Sequence, residues 1–349
     1  MTHRLDGPAA FGRRRREAVS LSSGSLVTAT PLLDGPAGPI WLRPAVDGVN
    51  LLAWADSNRE TIRGHLRTQG AVLFRGFAPL RDVAEFEQLI SGIAGSELLS
   101  YSYASTPRTK VSGGVYTSTE YPAHQEIPLH NEMAYARQWP MKLGFYSIKA
   151  AEHGGETPLA DSRRVLRAIP AEVRGRFTEH GVMYVRNYGE GVDLSWQDVF
   201  GTGDRAEVET FCRRAGIEFE WKPGDGLRTR QVCHATLKHP ETGEEVWFNQ
   251  AHLFHVSNLP DQVRSSLLET TAEEDLPRNA YYGDGSPIDS ADLAEVRKAL
   301  RREEIAFAWQ DGDVTVVENM LVAHGRRPFS GARRLVVGMA ESYAADAAA

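Results

Sequence analysis

Cysteine is nearly absent: 349 residues contain two, Cys212 and Cys233, too far apart for a CxxC pair. That spacing gives no zinc or redox motif, and a reducing cytoplasm is the simplest home for such a chain. Apolar runs of membrane-spanning length are missing, so no transmembrane helix is expected. Positive charge is in deficit as well. The 39 Lys and Arg against 46 Asp and Glu leave a formal charge of -7, which argues against a nucleic-acid-binding surface. The local basic run Arg13 to Arg16 is followed by "EAVSLSSGSL", which has a Glu and several Ser where an export signal needs an apolar stretch, so the run reads as a solvated tail. Neither an internal repeat nor a regular βαβ alternation is found. What remains is the composition of a soluble globular protein, 42% hydrophobic and 24% charged, long enough for one large domain or two modest ones.

Stretches rich in β-branched and aromatic residues predict strands at 71–77, 142–148, 182–188, 244–250, 314–324 and 334–343. Helices are expected at 58–70, stopped by Gly70, at 82–95, and at 162–169 with Ser162 as its N-cap, with others near 260–271 and 290–304. Strands separated by long helical excursions suggest a mainly β fold, a sandwich or jelly roll decorated with helices. The first forty residues and the tail "AADAAA" look peripheral.

A His and a carboxylate one residue apart point to the same side of an extended chain and can reach one cation. This pattern occurs three times, at His124/Glu126, His130/Glu132 and His239/Glu241. The last lies in "HPETGEE", where Pro and Gly make a turn between two strand-like runs without any need of a metal. Local sequence does not choose between the other two. Downstream, "HGRRPFSGARRLVVGM" places His324 at the end of one strand-like run and Arg334 ten residues later at the start of another. A third imidazole added to a His-x-Glu pair makes a facial set of two His and one carboxylate that suits Fe(II) in oxygenases, and an Arg nearby could fork onto a carboxylate of a bound cosubstrate. As isolated residues, His324 and Arg334 would equally suit the surface of a β-hairpin.

"HNE" (130–132), "GGETPLADS" (154–162) and "HGRRPFSGARR" (324–334) together resemble the taurine dioxygenase superfamily of Fe(II)- and 2-oxoglutarate-dependent oxygenases. Within it the chain looks most similar to natural-product hydroxylases such as the syringomycin-type aspartyl hydroxylases. The resemblance runs from about residue 72 nearly to the end. It implies a double-stranded β-helix (jelly-roll) core with a long insertion between the proximal and distal metal ligands. That gives a single oxygenase domain over 41–345, with a peripheral segment at 1–40 and a helical insertion at about 162–240. It implies His130, Glu132 and His324 as iron ligands, Thr157 as a hydroxyl contact to 2-oxoglutarate and Arg334 as the partner of its distal carboxylate. The 27-residue step from His130 to Thr157 fits the family, whereas the same step from His124 ends on Ala151, so the resemblance selects His130 and Glu132. Arg333 competes with Arg334, which is preferred because it shares the parity of Val336 and Gly338. His252 and His255 compete less well with His324, since the residue ten after His255 is Ser265 in a helix-like stretch.

Retention of a carboxylate at Glu132 implies oxygen-derived chemistry, most often hydroxylation of an sp3 carbon, with O2 as cosubstrate and succinate and CO2 as products. Halogenating relatives carry Ala or Gly there. The expected substrate is an amino-acid-like small molecule or a carrier-protein-tethered aminoacyl group of secondary metabolism. Candidate contacts are Glu126, Arg186, Asn187, Arg228, Arg230, Asn249 and Gln250. Two other readings are a jelly-roll metal enzyme that does not use 2-oxoglutarate, against which Thr157 and Arg334 speak, and a non-catalytic binding protein that keeps the fold, against which the intact ligand set speaks. The sequence leaves the oligomeric state open.

Overall fold

The structure is a computed structural model that describes residues 26–32, 38–100, 103, 106, 108–119, 121–189 and 194–345. The basic run at Arg13 to Arg16 and most of the C-terminal tail lie outside the described residues. The architecture is mixed α/β with several antiparallel sheets. An eight-stranded sheet forms the centre, in the order Val27–Pro31, Ile40–Pro44, Ala71–Phe74, Val314–Glu318, Gln138–Lys149, Arg334–Ala344, Val115–Thr117, Lys110–Ser112. A smaller sheet of four strands runs Glu304–Ile305, Leu159–Asp161, Val322–Arg326, Ile127–His130.

The large sheet is covered on both faces. Along Arg334–Ala344 the even residues Val336 and Ala340 meet the helices Leu51–Ser57, Arg59–Gln69 and Val83–Ala94 through Trp54, Leu66, Phe86 and Ile90. The odd residues Leu335, Val337 and Met339 join a second core with Leu159 and Val322 of the smaller sheet. Period-two alternation sends neighbouring side chains to opposite faces, and here both faces are apolar.

The expected strand at 314–324 is two strands. Val314–Glu318 belongs to the large sheet and Val322–Arg326 to the smaller one, with a turn closed by Leu321 N–H donating to Glu318 C=O at 3.0 Å. This crossing between sheets is what later sets His324 beside His130. The helix Ser162–Ala168 is capped by Asp161, whose carboxylate accepts from the N–H groups of Arg163 and Arg164, and not by Ser162. Segment 162–240 is not wholly helical. It carries the helices Ala171–His180 and Arg205–Ala215 together with the strands Val182–Tyr188, Glu218–Lys222 and Gly226–Cys233, which form a further sheet with Arg278–Tyr282. Within the first forty residues, Val27–Pro31 pairs antiparallel with Ile40–Pro44 as an edge strand. Both cysteines are free and buried, and burial pushes the Cys233 thiol up to about 12. Among the described residues no helix is long and apolar enough to cross a membrane.

Candidate metal centre

His130 ends the strand Ile127–His130, and its Cα lies opposite that of His324 in the antiparallel ladder of the smaller sheet. The two imidazole centroids are 4.5 Å apart. Glu132 lies two residues beyond the strand partner, buried, with Oε2 4.0 Å from His324 Nε2. One donor atom from each of His130, Glu132 and His324 lies within 4.8 Å of the others, and among the described residues no other group of His, Cys, Asp and Glu is so placed.

The donor chemistry fits a divalent cation. His130 Nδ1 bonds to the Pro128 carbonyl at 2.9 Å, which fixes Nδ1 as the protonated nitrogen and leaves the Nε2 lone pair free. Burial, with Arg108 nearby, pushes the His130 imidazole below its usual range despite Glu132. Burial pushes His324 well below its ordinary value, with His130 and Arg108 adding to the effect. Both rings are therefore neutral near pH 7, the state in which an imidazole ligates metal. Glu132 receives a 2.6 Å hydrogen bond from Arg108 Nη2, and both side chains are almost wholly buried. The Arg108 guanidinium supplies the positive charge that an isolated buried carboxylate requires. Sequence reasoning missed Arg108 because "STPRTK" carries no motif.

A cavity of about 40 Å³ opens beside the triad, lined by His130, His324, Thr157, Arg108, Arg333 and Ser118 among others. Thr157 Oγ1 accepts from the indole N–H of Trp309 at 3.0 Å, so its own hydroxyl proton remains available to a ligand. Arg334 does not face this space. It is exposed at the strand end, and Arg333 lines the cavity instead. The expected parity was sound, but it belongs to the face that packs on the helices, and Arg333 shares the inward parity of Leu335. Among the described residues Arg333 makes one long hydrogen bond, 3.4 Å to Ser118 Oγ, and its buried Nε has no partner. Burial and the neighbouring Arg326 push its guanidinium down to about 10. Arg326 also lines the cavity but donates to the carbonyls of Tyr121, Pro122 and Gln125, which fastens that segment over the site.

The "GGET" stretch shapes the seat. Gly154 and Gly155 both have left-handed φ, 70° and 74°. A Cβ on Gly154 would stand 2.2 Å from the Pro328 carbonyl oxygen, and one on Gly155 3.1 Å from Arg333 Cδ and Nε. Glycine at both positions accommodates the left-handed backbone, and at Gly154 it also permits the close approach of the Pro328 carbonyl.

The remaining expected contacts lie elsewhere. Glu126 and His124 are exposed. Arg186 is buried against the rings of Tyr103, Tyr135 and Tyr188. Arg228 is bound to Asp275 and Asn187, and Arg230 lies 3.8 Å from Glu220. Asn187 also donates to the carbonyls of Glu274 and Leu276. Asn249 bonds to Ala235 C=O and Gln250 to Asn131 C=O, so both satisfy backbone groups. His252 Nε2 donates to Leu129 C=O and His255 Nδ1 meets Ser257, and neither joins the donor cluster. His239 is buried within the expected turn, its Nδ1 accepting from the N–H groups of Glu241 and Thr242.

Comparison with known proteins agrees with this geometry. Residues 32–340 match the family described as taurine catabolism dioxygenase TauD, TfdA family. The dapdiamide synthesis protein DdaC of Enterobacter agglomerans is 46% identical over 274 residues, covering 78% of this chain and 83% of that one. A clavaminate synthase-like protein of Arabidopsis thaliana is 34% identical over 288 residues, covering 78% and 82%. Among solved structures, PvcB of Pseudomonas aeruginosa aligns with a TM-score of 0.56 at 16% identity over 94% of each chain, a likeness of fold. A second PvcB structure, described as an Fe, alpha-ketoglutarate dependent oxygenase from an isonitrile synthetic pathway, gives 0.54 at 15% identity over 93% and 94%. With the family pattern spanning nearly the whole chain and the His-x-Glu and distal His gathered at one point, the protein belongs to the TauD, TfdA family and is an Fe(II)- and 2-oxoglutarate-dependent oxygenase.

Proposed function

We propose that this oxygenase hydroxylates an sp3 carbon of an amino-acid-like or carrier-tethered aminoacyl substrate in natural-product biosynthesis, consuming O2 and 2-oxoglutarate and releasing succinate and CO2. The observation that carries the site assignment is the clustering of the His130, Glu132 and His324 donor atoms within 4.8 Å of one another, beside a cavity that His130 and His324 line together with Thr157 and Arg333. His130, Glu132 and His324 would hold Fe(II), two imidazoles and one carboxylate being a donor set that suits that ion in oxygenases. When bound, the iron supplies the Lewis acidity and redox chemistry that couple decarboxylation of 2-oxoglutarate to oxidation of the substrate.

The chain's own groups do the rest. Arg333 receives the distal carboxylate of 2-oxoglutarate in a two-pronged charge-assisted pair, in place of the expected Arg334. The Thr157 hydroxyl, held by Trp309, donates to the same cosubstrate. The apolar walls Phe145, Ile127 and Leu335 exclude water around the reacting carbon. A relative named for dapdiamide synthesis supports the natural-product setting. The narrower likeness to syringomycin-type hydroxylases, the jelly-roll arrangement of the two sheets, the single domain over 41–345 and a cytoplasmic location belong to this proposal.

The test is anaerobic addition of Fe(II) and 2-oxoglutarate, watching the visible region for the weak metal-to-ligand charge-transfer band of chelated cosubstrate. The band should appear in the unaltered protein and vanish in His324→Ala. Bound iron without a band would refute chelation by 2-oxoglutarate.

A further inference from the structure

Glu132 sits in a stretch of backbone that needs holding. It follows the last strand residue by two positions, and the next residue, Met133, has a left-handed φ of 57°, which a side chain with a Cβ resists. One side chain grips both peptide groups of Glu132. Asn319 Oδ1 accepts from Glu132 N–H at 2.8 Å, and Asn319 Nδ2 donates to Glu132 C=O at 2.9 Å and to Pro140 C=O at 2.8 Å. The main chain of Asn319 is fixed in turn. Its N–H donates to Met141 C=O at 2.8 Å, and its carbonyl accepts from Asn131 Nδ2 at 2.6 Å. Gln250 closes the arrangement by donating to Asn131 C=O at 2.6 Å.

Asn319 is fully buried, and its carboxamide is occupied by Glu132 N–H, Glu132 C=O and Pro140 C=O, so it presents no polar group to metal or substrate. Its place in the chain gives the grip its meaning. It lies in the turn between Val314–Glu318 and Val322–Arg326, the strand that carries His324. The loop that bears Glu132 and the turn that leads into the His324 strand are thus tied by three hydrogen bonds between Asn319 and residues 131 and 132.

We propose that Asn319 is a positioning residue for the metal centre: its carboxamide clamps the backbone of Glu132 and fixes the carboxylate relative to the two imidazoles, which sets affinity and geometry for the cation. The inference rests on the reading that His130, Glu132 and His324 are the ligands. The chemistry is specific to a primary amide of this length. It alone presents an acceptor and a donor side by side to meet an N–H and a C=O of the same residue. Removal of a partner that orients a ligand typically costs about 10- to 100-fold in metal affinity.

The experiment titrates Co(II) into the whole protein anaerobically, reading the d–d absorption, alongside thermal unfolding with and without metal. Asn319→Ala should bind Co(II) about 10- to 100-fold more weakly, with an altered absorption envelope. Asn319→Gln keeps a carboxamide but carries it one methylene further out, so its affinity should fall between Ala and the unaltered protein. It also serves as the readable variant if Ala does not fold. Met320→Ala, in the same turn and equally buried, should lower stability while leaving affinity and spectrum unchanged. Unaltered affinity and spectrum in folded Asn319 variants would overturn the proposal, as would an equal loss in Met320→Ala. A metal spectrum that persists in Glu132→Ala would instead overturn the ligand assignment, and the clamp with it.

Discussion

Arg333→Ala separates cosubstrate anchoring from every structural contribution of that residue. Among the described residues the guanidinium of the ligand-free protein meets only Ser118, through the long bond, and the ring of Phe329 at 5.2 Å, and burial with Arg326 has already pushed it down to about 10. A cation so poorly matched adds little to folding, so Arg333→Ala should leave the melting temperature of the ligand-free protein unchanged or slightly higher. At pH 7 to 8 it is still protonated and ready for an anion. Losing one partner of a desolvated, two-pronged Arg-carboxylate pair costs on the order of 3 to 5 kcal/mol. At about 1.4 kcal/mol per decade that is roughly two to three and a half powers of ten in the 2-oxoglutarate constant. The assay is titration of 2-oxoglutarate against the anaerobic charge-transfer band, with metal affinity measured in parallel and expected to stay constant. Arg333→Lys should recover part of the loss, because an ammonium cannot fork onto two oxygens. Arg334→Ala, at the exposed position, should change the constant by less than about two-fold, as surface substitutions usually do. A large effect at Arg334 with none at Arg333 would refute the inward assignment.

The remaining predictions concern the ligands, the glycine seat and acid stability. His130→Ala, Glu132→Ala and His324→Ala should each abolish 2-oxoglutarate-dependent succinate formation, while His124→Ala, at an exposed site, should keep it. Gly155→Ala forces a left-handed residue at about 1 to 2 kcal/mol and crowds Arg333 at 3.1 Å. Its melting temperature should fall and its 2-oxoglutarate constant rise, with metal affinity unchanged. His252, buried and held neutral with its imidazole pushed down to about 3, makes the fold acid-sensitive. Because the unfolded imidazole binds its proton near 6.5 and the folded one only near 3, stability is full above pH 6.5 and falls as pH drops. About 2 kcal/mol should be lost between pH 7 and 5, read by urea unfolding, and His252→Gln should flatten that slope.

Most elements were legible because period, β-branching and caps act locally. Val182–Tyr188 begins and ends where the sequence places it, and Arg59–Gln69 stops at Gly70 as expected. The pair His130/Glu132 and the distal His324 came from the family resemblance, since the His-x-Glu pattern alone left His124/Glu126 equally open. The single strand predicted at 314–324 failed because "VTVVENMLVAH" is apolar on both sides of Asn319, and nothing local announces that the chain changes sheets there. That Arg333 and not Arg334 lines the cavity was hidden for a related reason: when both faces of a strand are buried, hydrophobicity gives the alternation without naming the inner side. Among the substrate candidates, Arg228, Asn249 and Gln250 meet groups distant in sequence, Asp275, Ala235 and Asn131, and composition cannot reveal such partners.

The pairing of His130 with His324 also bears on how the centre comes into being. The ladder that sets them face to face joins segments 194 positions apart, so the site depends on a long-range contact. Closing so long a loop carries an entropic cost before any ligand is gained. A chain still being synthesised therefore has no metal-binding competence until its last strands have emerged and docked. An ion once bound acts as a cross-link between the two halves of the sequence, opposing their separation much as a disulfide would in a chain whose two thiols remain free.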